Sequence, residues 1–342
     1  MSDNDETARI GSPGGFDDTG VPGDLDEGQA LRRAVAKPAD VLQAIGDSHH
    51  ALPHDQLAAL SNADDETIAR LMPLWPQMLP ERRRELLASL QRLSDEDPTL
   101  DFNRAYLSAL HDPDPATRVL AIRGLWEHEG KEVMRLLADM MQQDPEPAVR
   151  AEAAGMLGHF VVDMEFGLLS DDDAEHLAEA LRDAIDDATQ EDEVRARALE
   201  VLGASSEEWV AEMIADQYEA GGVRMRLASV RAMGRNASDN WLPVLIHTFD
   251  DDDAEMRAAA ATSAGELLVD SAIEPLALLA EDPDSDVQTA AILALGEIAG
   301  EAAEAILQQL LEREEHVAQA ARRALAVARM MALEPDEGAE PS

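Results

Sequence analysis

One short pattern at a nearly constant interval constrains this chain more than any other feature. An apolar residue is followed by Arg, a small residue three positions after the Arg and Gly eight positions after it. The pattern reads Val149-Arg150 with Ala153 and Gly158, Val194-Arg195 with Ala198 and Gly203, Met225-Arg226 with Ser229 and Gly234, and Met256-Arg257 with Ala260 and Gly265. Val287-Gln288 with Ala291 and Gly296 keeps all but the arginine, while Thr117-Arg118 with Ala121 and Val317-Ala318 with Ala321 are looser copies without the glycine. The marker positions 118, 150, 195, 226, 257, 288 and 318 are separated by 32, 45, 31, 31, 31 and 30 residues. A period this short makes one supersecondary unit per copy, which hides its apolar face only by stacking on the next copy. A chain of 342 residues so organised need not divide into globular domains of ordinary size.

Each copy can be read physically. An acid stands four before the marker in six of the seven copies, as Asp114, Glu146, Glu191, Asp253, Asp284 and Glu314. At a helix start a carboxylate accepts orphan backbone N–H bonds and favours the positive end of the dipole. The small residue after the marker lets a neighbouring helix approach, and the glycine falls near the last turn, where it permits close contact or ends the helix. Upstream of each marker lies a second amphipathic stretch, for example Trp241-Leu242-Pro243-Val244-Leu245-Ile246. The spacing therefore predicts an all-α chain, an α-solenoid or superhelix of stacked antiparallel helix pairs with units of about 31 residues.

Charge narrows the function. With 71 Asp and Glu against 27 Lys and Arg, the formal charge is −44, leaving little from which to build a phosphate-binding groove or a polybasic membrane face. Nucleic acid and membrane are therefore not expected as partners. Hydrophobic residues reach 45% but aromatics only 3%, so the core must be aliphatic and rich in Ala and Leu, which suits close helix packing. The chain has no cysteine, which removes disulfides, thiolate catalysis and cysteine-ligated metals. No basic start with an apolar stretch marks a secretion signal, and no apolar run approaches a membrane span, so a cytoplasmic location is expected.

Asp six before the marker, as in Asp112/Arg118, Asp144/Arg150 and Asp251/Arg257, resembles the Asp-to-Arg spacing of HEAT repeats, and Pro243 falls at the HEAT proline position. The short unit is similar to the HEAT-like repeats of phycobilisome lyases. The segment Leu-Pro-Glu-Arg-Arg-Arg at residues 79–84 resembles one found ahead of the array in bacterial HEAT-repeat proteins. The resemblance implies a structural ladder of Asp112, Arg118, Asp144, Arg150, Arg195, Arg226, Asp251, Arg257 and Asp282. Gln288 and Ala318 replace arginine, and Thr189 and Ala220 replace aspartate, so a continuous ladder would be broken. Alkylpurine DNA glycosylases of similar architecture bind DNA in a basic groove, but the marker arginines here are expected to be neutralised by pairing.

The resemblance also raises enzymatic alternatives. Deoxyhypusine hydroxylase is a HEAT-like enzyme with several His-Glu motifs, but here only His128-Glu129 has that order, Glu175-His176 and Glu315-His316 being reversed. His49, His50 and His54 form the tightest histidine cluster without a matched carboxylate set. The segment from Asp282 to Asp286 opens like an EF-hand loop but has Val287 and Leu293 where Gly and Glu are required. Phosphate-binding glycine loops and nucleophile elbows are absent from the sequence. No catalytic, metal or cofactor residue is assigned and no cofactor is expected; a lyase or oxidoreductase role rests on fold analogy alone.

The 45-residue step holds about 14 extra residues near 160–173. A longer first helix with a turn is expected there, with Phe160, Met164 and Phe166 packed between units. Insertions in solenoids also map to binding faces, so Phe166 is kept as a candidate protein-binding residue. Trp209 and Trp241 lie 17 and 16 residues before their markers and would occupy similar places on first helices; they either anchor a partner or seal inter-repeat seams. The domain reading is a disordered acidic tail over 1–37, a helical cap over 38–99, the array over 100–331 and a disordered acidic tail over 332–342. Cap helices are expected over 41–45, 54–60, 66–72 and 80–93. The whole reads as a monomeric, non-catalytic scaffold that binds a protein with basic segments, its binding surface formed mainly by the second helices.

Overall fold

The computed structural model describes residues 38–46, 52 and 54–331; the two acidic tails and His49 and His50 lie outside the described residues, as does the His54 side chain. Every regular element among the described residues is helical. The chain divides into two compact units, with the boundary between Phe102 and Asn103.

The first unit contains α1 (Pro38–Gly46), a 3-10 helix (His54–Leu60), α2 (Asp65–Leu71), a 3-10 turn (Trp75–Gln77) and α3 (Pro80–Glu96). Its core is aliphatic, with Val41, Ile45, Leu57, Leu90 and Leu93 fully buried. Asp64 caps α2 by accepting from the Thr67 N–H at 2.8 Å. In the Leu-Pro-Glu-Arg-Arg-Arg segment, Arg83 is buried and donates to the Met78 carbonyl at 2.8 Å, so part of this basic run is internal.

The second unit is an α-solenoid of helix pairs: α4 (Asn103–Ala109) with α5 (Pro115–Arg123), α6 (Lys131–Gln143) with α7 (Pro147–Met156), then α8 (Gly158–Glu165), α9 (Asp171–Asp186) with α10 (Asp192–Leu202), and α11 (Glu208–Ala220) with α12 (Val223–Asn236). Three pairs complete it: α13 (Leu242–Thr248) with α14 (Ala254–Glu266), α15 (Ile273–Leu279) with α16 (Ser285–Ile298), and α17 (Gly300–Leu310) with α18 (Glu315–Met331). Each second helix packs on the second helix of the following unit. The small residue three after every marker, from Ala121 through Ala321, is fully buried in that stack.

The glycines eight after the marker decide how closely these helices approach. A Cβ on Gly203 would lie 2.8 Å from the Ala232 Cα, one on Gly234 2.7 Å from Ser263, one on Gly265 2.8 Å from Ala294 and one on Gly296 2.6 Å from Ala324. In every case the partner is the residue six after the next marker. Only a residue without a side chain admits the neighbouring backbone there.

Helix starts follow the acids, with one division by side-chain length. Asp114, Asp253 and Asp284 each accept from backbone N–H groups of the first turn, whereas Glu146 and Glu191 occupy the same position without a capping bond. The extra methylene carries the glutamate carboxylate past the short ring that an aspartate closes.

In the unit that holds the insertion, the first helix, α9, is longer than the other first helices, as expected, at 16 residues, but the inserted residues before it do not extend it. They form a separate eight-residue helix, α8, which starts directly after α7 at Leu157, and Gly167 at φ 67° turns the chain toward α9. Phe160 is fully buried, as expected, but Phe166 is 75% exposed. Six helical residues of about 100° each place Phe166 about 120° around the axis from Phe160, so the two rings cannot share a face.

Candidate functional site

The marker arginines are occupied by the stack. Arg118 donates to its own Asp112 carbonyl at 2.8 Å and makes a bidentate pair with Asp144 of the next unit at 2.7 and 2.8 Å, with both side chains nearly buried. Arg257 repeats this on the Asp251 carbonyl and on Asp282. That guanidinium holds the Asp282 carboxyl below the usual carboxylate range. Arg226 reaches Asp251 at 2.7 Å and lies over the Tyr218 ring. Each aspartate of the ladder also accepts from the backbone N–H two residues on, as Asp112, Asp144, Asp251 and Asp282 do.

The departures from the pattern are visible as changed partners. Where Thr189 replaces the aspartate, Arg150 keeps its Asp144 carbonyl but turns to Gln190 and Glu191. Where Ala220 replaces it, Arg195 turns back to the Ile185 carbonyl and to Asp192 on its own helix, so no link runs forward. Gln288 retains the neutral half of the motif by donating to the Asp282 carbonyl at 2.8 Å.

The second-helix face, where the partner surface is expected, is a lattice of internal ion pairs. Arg123 makes a bidentate pair with Glu152, Arg224 pairs with Glu193, and Arg231 bridges Glu200 and Glu255 at 3.1 and 3.2 Å. Arg235 donates to the Glu200 carbonyl. A groove of about 310 Å³ between Arg197, Arg224 and Arg231 also has Glu193, Glu200 and Glu255 in its wall, so its charges are largely compensated. Trp126 is 53% exposed in a neighbouring groove and was not a candidate. Its signal is positional: it stands eight after Arg118, where later units carry the glycine.

The predicted tryptophans have different roles. The Trp241 indole N–H donates to Asn236 at 2.8 Å, and Asn236 in turn donates to the Ser205 carbonyl of the preceding unit, which makes a seam. No ring contact joins the two tryptophans among the described residues. Trp209 lies with one edge in a groove of about 460 Å³ and has the Arg182 guanidinium 4.7 Å from its ring centre. Met164, Ala174 and Ala178 also line this groove, together with Glu165, Glu175 and Glu207. The exposed Phe166 and Leu168 follow the lining residues Met164 and Glu165 in the chain; Leu168 is 72% exposed and not among the predicted candidates.

The other constellations resolve into structure. Of the run Asp171-Asp172-Asp173, the third is buried; its carboxyl is held below the usual range by the Ser170 hydroxyl and by Arg135, which reaches it at 2.6 Å from α6. His128 Nδ1 accepts from the Gly130 N–H at 3.0 Å, and the His128 carbonyl meets His159. Among the described residues no three His, Asp or Glu side chains gather at a metal-binding spacing. No helix of the described residues is long and apolar enough to cross a membrane.

Among solved structures, the chain is similar to human deoxyhypusine hydroxylase in complex with glycerol at 17% identity, covering 89% of this chain and 99% of that one with a TM-score of 0.33. It is similar to the complex of CpcE and CpcF of phycocyanin lyase from Nostoc sp. PCC7120 at 16% identity, over 83% and 97% of the two chains, TM-score 0.47. The karyopherin Kap121p bound to the extreme C-terminus of the protein phosphatase Cdc14p is 15% identical over 89% of this chain and 39% of that one, TM-score 0.48. No curated protein sequence matches the chain. The family model for HEAT repeats matches residues 103–192 and 242–326. The unmatched interval between them contains Ala220, where the ladder loses its aspartate, and Trp209. With its ladder arginines, stacked helix pairs and family match over half its length, the chain belongs to the HEAT-repeat family.

Proposed function

We propose that this HEAT-repeat protein is a non-catalytic, monomeric scaffold of the cytoplasm whose array binds a protein partner carrying basic segments. One observation carries the reading. From Arg118 to Arg257 the second-helix arginines are engaged by neighbouring carboxylates and carbonyls, which sets most of the array's cations in its own seams and leaves the surplus of a −44 chain facing outward. Such a field raises the encounter rate with Lys- and Arg-rich segments and opposes approach of phosphates, so nucleic acid and anionic membranes are not partners. His128, from the one pair in His-Glu order, is engaged within its own turn.

Capture from native lysate on the immobilised full chain at stepped ionic strength tests this. Proteins with basic segments are expected at low salt and are released as salt rises. Recovery of acidic proteins alone, or of none, at low salt overturns the electrostatic basis. Metal analysis of the purified protein tests the non-catalytic half: stoichiometric iron replaces it with a di-iron oxygenase reading, and metal-free protein is the expected result.

A further inference from the structure

The inserted helix ends in a feature that the repeat does not need. Val162, Phe166 and Leu168 are exposed within seven residues, at 41%, 75% and 72%, and no partner in the unit covers them. The segment is nevertheless held in place. The Phe166 N–H donates to the Val162 carbonyl, Gly167 to Met164 and Leu168 to Asp163 at 2.8 to 3.0 Å. Glu165 accepts from the Ser206 N–H at 2.9 Å, which fastens the end of α8 to the loop before α11. A presented apolar pair that is already ordered avoids most of the entropy cost of docking.

Next to it lies the groove of about 460 Å³ lined by Met164, Ala174, Ala178 and Trp209, a size that suits one large apolar side chain. Its charged lining residues are Glu165, Glu175 and Glu207, with no cation among them. The Arg182 guanidinium lies over the Trp209 ring, 4.7 Å from its centre, and is not one of the lining residues. Among the described residues Glu175 and Glu207 have no ion-pair partner. An apolar floor with an acidic rim is the complement of an apolar residue flanked by cations. The C-terminal tail does not fit that description, since residues 332–342 carry four acids and no base, and a second copy would bring another −44.

We propose that the groove between α8, α9 and the start of α11 is the docking site for a linear protein segment with a large apolar side chain between Lys or Arg residues. The apolar side chain enters against Trp209 and Met164, Phe166 and Leu168 close over it, and Glu175 and Glu207 take the flanking cations. The proposal rests on the reading of the protein as a scaffold for basic partners and gives that reading an address.

A fluorescent peptide with Leu-Phe between two Arg-Lys pairs, titrated with the full chain at low salt and read by anisotropy, tests it. The control peptide has Ser-Ser in place of Leu-Phe. The native chain is expected to bind the Leu-Phe peptide at least tenfold more tightly than the control. The double variant Phe166→Ser with Leu168→Ser, both too exposed to affect folding, is expected to erase that advantage and leave control binding unchanged. Glu175→Lys with Glu207→Lys is expected to weaken both peptides and flatten the salt dependence. Equal binding of the two peptides by the native chain, or an advantage that survives the Phe166→Ser and Leu168→Ser double change, overturns the site while the reading of a basic partner stands. Absence of binding by either peptide overturns both. Self-association of the native chain that the Phe166→Ser, Leu168→Ser variant abolishes replaces the proposed occupant with a second copy.

Discussion

The units marked by Arg226, Arg257 and Gln288 and the unit that spans α8 to α10 are built from the same pattern and treat their side chains differently. In the regular units nearly every distinctive residue is consumed by the stack. The glycine receives the next helix's backbone, and the small residue is buried beneath it. Where the ladder is intact, the marker arginine links two units. Where the irregular unit joins the one before it the fit is looser. A Cβ on Gly158 would meet only the Val201 side chain, at 3.2 and 3.5 Å, Arg150 finds Gln190 and Glu191 instead of an aspartate, and Phe166 and Leu168 face solvent. Repetition therefore stabilises the array by using up the surface it creates. Exposed apolar side chains are left where the period fails.

The sharpest way to break the comparison is to add a side chain on each side of it. Gly265→Val would drive carbon atoms into Ala294, whose Cα and Cβ lie 2.8 and 2.7 Å from the new Cβ, and neither helix can retreat without opening the next seam. A loss of about 3 kcal/mol is expected, from overpacking against backbone. Gly155, in α7 before the insertion, has open space around it, so Gly155→Ala is expected to stabilise by about 0.5 to 1 kcal/mol through helix propensity. Urea midpoints followed by circular dichroism measure both. Equal effects of like sign would mean that the glycines do not set the spacing of the regular units.

The ladder offers a second contrast of intermediate size. Arg118→Ala strands Asp144 in a nearly buried position beside an unfilled carbonyl, and a cost of about 3 kcal/mol is expected. Arg195→Ala, at the step where the ladder is broken, loses one carbonyl bond and a weak exposed pair, and about 1 kcal/mol is expected. Similar losses at the two positions would show that the broken step is as tightly wired as the intact one.

How much of this was legible in the sequence follows the same division. The period located seven helix pairs, because an apolar face recurring with caps and small residues has only one way to be buried. The Asp-to-Arg spacing gave the right type of partner, since both halves of the pair lie on the repeat. The closure of each glycine on the residue six after the next marker was not legible, because it depends on the axial offset between two helices. The independence of α8 was hidden for a different reason. Leu157 keeps helical angles, φ −69° and ψ −10°, at the junction, so α7 and α8 read as one continuous stretch. The expectation that Phe166 packs between units rests on large apolar residues being usually buried, and a rule of averages says nothing about one that sits past the end of a short helix.

The smallest effect concerns how the regular units fill the space that the glycines leave. The Glu266 carboxylate lies against Gly234 and the Glu297 carboxylate against Gly265, with Glu297 half-buried and Glu266 more exposed. Burial pushes both carboxyls above their ordinary value, and the Glu297 charge adds to the shift at Glu266 while Arg235 opposes it. A raised carboxyl binds its proton more tightly in the folded chain. Its contribution to stability is therefore greatest below the ordinary value of 4.5 and is lost as pH rises through the folded value. Asp282, whose carboxyl is lowered by Arg257, has the opposite sign and loses its contribution as pH falls. Glu266→Gln is thus expected to be slightly more stable than the native chain at neutral pH, with the difference closing on acidification. Asp282→Asn is expected to be less stable at neutral pH, its deficit also shrinking in acid. Thermal midpoints across the acid range separate the two, and a Glu266→Gln advantage that grows on acidification would mean that its carboxylate is stabilised by the seam it occupies.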